Sequence, residues 1–210
     1  KKRYDILTKA FNMEAELALL DNDLEGAVRP YFQAIAQSDN KEAQAVWQCE
    51  LGNIFFRMGK FEQAKNAYLK VMKFSPDLVT EYESKIYLSS CLIRLGELSA
   101  AEKILKRLDD DGKFTEWKDY VVSQKLLISR LYNSPDSLLV HEQEADKLYP
   151  ISQPKAAYYF EKGIEAYKNN DYIEARRCMA IGRGTPAYIS NTANKLFNFL
   201  NSYELAHKAI

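Results

Sequence analysis

The chain has 210 residues, 47% of them apolar, and its 29 basic and 29 acidic side chains leave no net charge. That apolar fraction supports a substantial buried core and excludes a disordered chain. The missing basic excess argues against a protein built mainly to hold nucleic acid, because phosphate neutralisation supplies most of such affinity. Cys49, Cys91 and Cys178 are odd in number and contain no CxxC pair, so they read as buried free thiols, with no metal expected. No run approaches the roughly 18 apolar residues of a membrane span. The start KKRYDIL, with neither Met nor an apolar leader, reads as that of a fragment or a processed chain. It leaves the compartment open between cytoplasm and bacterial envelope.

Glycine and proline are scarce, at 8 and 6, and helical periodicity dominates. The stretch LGNIFFRMGKFEQA, residues 51 to 64, breaks at Gly59 and resumes at once. The same break recurs at 37-residue intervals, at Asn22, Gly59, Gly96, Asn133 and Asn170. Gly and Asn are the residues that most readily take the left-handed conformation closing a helix. Five residues beyond each break stand Ala27, Ala64, Ala101, Leu138 and Ala175. Seven before it stand Ala15, Gly52, Ser89, Leu126 and Gly163, and two beyond it Leu24, Phe61, Leu98, Pro135 and Tyr172. This register predicts five helix–turn–helix units, at about 4–40, 41–77, 78–114, 115–151 and 152–185, then a terminal helix at 186–208.

In chain order, Pro30 is expected to kink or shorten the second helix of the first unit. Pro76 and Pro150 mark handovers between units, and DDDGKFTEWKD reads as a solvated acidic turn around Gly112. The fourth unit is the outlier, with Leu126 and Leu138 at small-residue columns and Pro135 at the aromatic one. In GRGTPAY, Thr185 is placed as an N-cap and Pro186 at the first helical position. The helix after it carries Ile189, Ala193, Leu196, Phe197, Leu200, Tyr203 and Leu205, and either caps the array or docks another chain.

The period and columns resemble the tetratricopeptide repeat family, whose units are typically about 34 residues. The likeness is strongest between residues 45 and 78, through Leu51, Gly52, Phe55, Gly59, Phe61, Ala64, Tyr68 and Pro76. It implies an all-α fold, a right-handed α-solenoid of about five such repeats forming one domain over residues 1–210. It also implies a scaffold or adaptor that binds a protein or peptide segment in a concave groove lined by the first helix of each unit.

No catalytic constellation accompanies this pattern, and neither an enzyme nor a cofactor is expected. His141 and His207 are the histidines, and HEQEA has Ala145 where a zinc-binding HExxH needs its second His. GRGTPA lacks the third glycine of a dinucleotide loop, and DDDG lacks the ligand spacing of a calcium loop. Carried across from the family, the groove positions are Val46, Cys49, Asn53, Phe56 and Arg57, then Glu83, Ile86, Ser90, Ile93 and Arg94, then Phe160, Ile164, Tyr167 and Lys168. The recurring pairs Phe56-Arg57, Ile93-Arg94 and Tyr167-Lys168 suit an extended or helical peptide bearing acidic groups. A cation favoured by the dipole of a helix's last turn explains the same column. The carboxylate clamp of chaperone-binding repeats is excluded, since Asn12, Glu16, Cys49, Ile86 and Ser90 do not supply its Lys, Asn and Arg. Two rivals remain, an RNA-binding helical repeat and self-assembly through the terminal helix.

Overall fold

A computed structural model describes residues 2–132, 135–183 and 193–202, with side chains from residue 6 onward. The helices are α1 (Lys2–Leu20), α2 (Leu24–Gln37), α3 (Lys41–Arg57), α4 (Phe61–Val71), α5 (Leu78–Arg94), α6 (Leu98–Asp110), α7 (Lys118–Tyr132), α8 (Pro135–Leu148), α9 (Gln153–Lys168) and α10 (Tyr172–Gly182). A 3-10 segment, Gly112–Trp117, precedes α7, and residues 193–202 are also helical. There is no strand among the described residues. Helices pack as consecutive hairpins, α1 with α2, α3 with α4, α5 with α6, α7 with α8 and α9 with α10. This is the all-α, tetratricopeptide-like architecture that the register predicts. The chain divides into two compact units, Lys1–Phe114 and Thr115–Ile210.

The hairpins are made by one repeated device. Asn22, Gly59, Gly96 and Asn170 have φ of 58°, 71°, 78° and 62°, and no other described residue lies in the left-handed region. At each of them two backbone bonds close the preceding helix. Around Gly59, Lys60 N donates to Phe55 O at 2.9 Å and Gly59 N to Phe56 O at 3.0 Å. The same bonds recur as Glu97 to Leu92 and Gly96 to Ile93, as Asp23 to Ala18 and Asn22 to Leu19, and as Asp171 to Ala166 and Asn170 to Tyr167. This is the Schellman closure, which satisfies carbonyls that a helix end leaves orphaned. The next residue is already the N-cap of the following helix. Asp23 accepts from Gly26 N at 2.8 Å and Asp171 from Glu174 N at 3.1 Å. The fifth reversal position, Asn133, lies outside the described residues.

Close packing of each pair depends on the small-residue columns. Ala15, Ala27, Ala64, Ala101 and Ala175 are fully buried. A Cβ at Gly52 would run into the Tyr68 ring, and one at Gly163 would stand 2.6 Å from Met179 Cε. In the first unit α3 also packs on α5, α2 on α3 and α4 on α5, so each hairpin covers part of its neighbour's apolar stripe. Ion pairs lace successive repeats, Lys60 to Glu25 at 3.3 Å and Lys65 to Glu97 at 2.8 Å.

Two sequence expectations are refined. Pro30 does not shorten α2, which runs unbroken from Leu24 to Gln37 and is longer than α4. The ring forfeits one backbone bond, but Pro30 is buried together with Tyr31 and Ala34, and that packing holds the helix. The DDDG stretch is not merely a solvated turn. Asp109 and Asp110 end α6, and Phe114 beyond them is buried against Tyr82, with ring centroids 5.1 Å apart. Lys113 Nζ covers the Phe114 ring at 4.7 Å, so an aromatic anchor sits under a charged surface.

The second unit replaces part of the small-residue packing with a polar network. Glu142 on α8 is buried, accepts from Tyr158 OH at 3.1 Å, and pairs with Lys162 at 2.7 Å and Arg177 at 3.3 Å. Glu174 bridges the same two cations, at 2.8 Å and 2.7 Å. Leu126, Ala145, Tyr158, Tyr159 and Cys178 form the apolar core beside it. Of the terminal helix, Ala193 and Leu200 are buried, Arg183 stands 4.3 Å over the Phe197 ring, and Arg176 donates to Asn201 at 3.3 Å. The Thr185 cap, Pro186, Ile189, Tyr203, Leu205 and His207 lie outside the described residues.

Candidate peptide-binding face

In the first unit, α3 and α5 are first helices of successive hairpins and lie side by side. Their C-terminal ends bring together Phe56, Arg57 and Arg94. Phe56 meets Phe61 and Tyr87 edge-on, at 5.4 Å and 5.8 Å, and Tyr87 stacks on Tyr68 at 6.0 Å. The Arg94 guanidinium caps this cluster, 5.0 Å from the Phe56 centroid and 5.6 Å from Phe61. Arg57 reaches the preceding hairpin, donating from Nη2 to Asn22 Oδ1 at 3.2 Å, while the rest of its side chain stays exposed.

Asn53 is half-buried and accepts from Tyr68 OH at 2.8 Å, tying α3 to α4. Ile93 is fully buried and Ser90 nearly so; both lie in the packing layer beneath the surface that Phe56 and Arg94 form. In the second unit, Ile164 is half-buried on α9, while Tyr167 and Lys168 are exposed at its end. Tyr167 leans on Tyr172 across the reversal, with ring centroids 5.8 Å apart. The first-unit residues and the α9 residues are thus two separate groups of side chains, each defined within its own unit.

Two acidic residues stand on these helices, Glu83, which the family's groove spacing gives, and Glu50, which it misses. Glu50, one turn before Asn53 on α3, has its carboxyl pushed above the usual carboxylate range by burial, with Asn53 and Arg57 pulling the other way. Glu83 on α5 is raised by burial and by the charges of Glu50 and Asp77. Both lie on neighbouring first helices, Glu50 half-buried on α3 and Glu83 exposed on α5. Seven residues separate Glu50 from Arg57, about 10 Å along the helix. The face is therefore bipolar, acidic toward the helix N-termini and cationic at the C-termini. A scan for repeated apolar–cation pairs could not find this, because the acids form no such column.

The thiols offer no reactive centre. Cys49, Cys91 and Cys178 are buried, and burial pushes Cys91 and Cys178 up to about 12. No metal-holding group of His, Cys, Asp and Glu occurs among the described residues, and no described helix is long and apolar enough to cross a membrane.

Residues 48–78 match the family model of the tetratricopeptide repeat. The matched stretch runs from the middle of α3 through α4 to the start of α5, and contains the Gly59 reversal, the Gly52–Tyr68 contact and buried Ala64. No curated protein matches the chain.

Proposed function

We propose that this chain, which carries a tetratricopeptide repeat at residues 48–78, is a non-enzymatic scaffold holding a segment of another protein on the face made by its first helices. Repeats of this family serve generally as protein-interaction modules. The reading treats residues 1–210 as one array of such repeats. In the first unit the contact residues are Asn53, Phe56, Arg57 and Arg94, with Ser90 and Ile93 as their packed support. In the second they are Ile164, Tyr167 and Lys168.

The observation that carries the reading is the Arg94 guanidinium lying over Phe56 and Phe61, on the same helix ends as exposed Arg57. A guanidinium already held against two rings loses little rotamer freedom when it binds a carboxylate, and Arg94 Nη1 also reaches Ser90 O at 3.5 Å. The ligand that fits is a peptide with an acidic residue at the Arg57–Arg94 end, flanked by an apolar side chain against Phe56. A basic residue roughly 10 Å away would meet Glu50 and Glu83.

The test is fluorescence anisotropy with a peptide library that varies those three positions. Arg94→Ala and Phe56→Ala should each weaken the best peptide about tenfold. A library that yields no binder, or variants that bind like the parent chain, would overturn the reading. Retention on single-stranded RNA that falls steeply with salt would instead favour the nucleic-acid alternative.

A further inference from the structure

Between the second and third hairpins lies a cavity whose counterpart in the second unit is packed with aromatic rings. α4 and α6 both pack on α5, and the three helices enclose about 670 Å³, a volume typical of small-molecule sites. Tyr68, Ser84, Leu88 and Leu108 are its buried lining, and the more exposed Leu69 and Ile104 stand at its edge. One position accounts for the space. At the 37-residue step, Ser84 shares its column with Trp47, Val121 and Tyr158. In the second unit Tyr158 and Tyr159 belong to one core cluster with Ala145 of α8 and Cys178 of α10, the counterpart of Ile104. Ser84 is too short to fill the same place.

The chemistry of the lining narrows what can enter. Both hydroxyl protons are committed, Tyr68 donating to Asn53 Oδ1 at 2.8 Å and Ser84 to Glu81 O at 2.9 Å. A peptide carbonyl would find no donor among them, so the body of a ligand must be hydrocarbon. The charged rim is largely neutralised from within, Lys85 by Glu81 and Asp111 by Lys113. Arg107 and Asp110 remain. Both are exposed on α6, and neither side chain has a partner among the described residues. Residues three apart are neighbours on a helix surface, so one positive and one negative group stand side by side at the mouth. We propose that this cavity binds a small amphiphile with an aliphatic body and an α-amino acid head. Its carboxylate pairs with Arg107 and its ammonium with Asp110, while the aliphatic chain fills the place that Ser84 leaves.

Calorimetric titration of the whole chain with 2-aminooctanoate, octanoate and octylamine tests this with one aliphatic chain and three heads. 2-Aminooctanoate should bind about tenfold more tightly than either singly charged probe. Arg107→Ala should remove its advantage over octylamine, and Asp110→Asn its advantage over octanoate. Both positions are exposed, so the fold is kept. Leu69→Asp, at an exposed edge of the cavity, should weaken all three probes and so locate them here. A chain that does not bind 2-aminooctanoate would overturn the proposal. So would octanoate or octylamine binding as tightly as the zwitterion, or zwitterion binding indifferent to Leu69→Asp. These variants lie on α4 and α6 and leave Phe56, Arg57 and Arg94 in place, so peptide binding on the first helices is read separately in the same proteins.

Discussion

Four residues hold the left-handed conformation at the reversals, two glycines and two asparagines, and the cost differs between them. An L side chain in that region is strained by roughly 1–2 kcal/mol, which Asn partly recovers through local hydrogen bonding and Gly avoids altogether. At Gly59 an added Cβ meets nothing within 4 Å, so any loss on substitution is conformational and not steric. Gly59→Ala should therefore cost about 1 kcal/mol in urea unfolding, while Asn170→Gly should be neutral or stabilising. An unchanged midpoint for Gly59→Ala would mean that the reversal is not held as described. These positions were legible in the sequence because only a few residue types tolerate the conformation. Phe114 was not. It stands among acidic and basic neighbours, and nothing in that local pattern shows Tyr82, far back in the chain, folding over its ring.

Between elements, the governing contact is the approach of the two helices in a hairpin. Ala64 is fully enclosed on α4, and enlarging it to Leu must push α3 and α4 apart or force strained rotamers. Ala64→Leu should destabilise the chain by about 1–3 kcal/mol, read from thermal unfolding. The α8–α9–α10 network responds to acid instead. Hydrogen bonds from Arg177 hold the Glu174 carboxyl down to about 2, against an ordinary 4.5, with Lys162 adding to the effect and burial opposing it. Its folded pKa is depressed, so the stabilisation is complete above about pH 4.5 and is lost as pH falls through about 2. Glu174→Gln should flatten the fall in urea midpoint over that window. The network itself was invisible to spacing rules. Glu142 and Arg177 are 35 residues apart and belong to different repeats, and charged residues are ordinarily read as solvent-facing.

For the molecule as a whole, the fold was far more legible than the surface it presents. Reversal residues and small-residue columns are dictated by backbone geometry and close packing, which leave few chemical choices. The proposed recognition face is built from ordinary surface residue types whose meaning depends on their neighbours across α3 and α5. Ile93 reads like Phe56 in sequence, since both precede an arginine, yet one is core and the other half-exposed. Balanced net charge supplies no global field to steer a partner, so the proposed reading leaves selectivity to local groups such as Glu50 and Arg94.

Each reversal is closed by bonds reaching three and five residues back, so everything needed to make it is written within about ten residues. A tandem gain or loss of 37 residues in register would therefore leave every surviving turn with its own instructions and every surviving helix with a neighbour of the same kind. A deletion of another length within a helix would leave the turn intact but move the small-residue columns out of register.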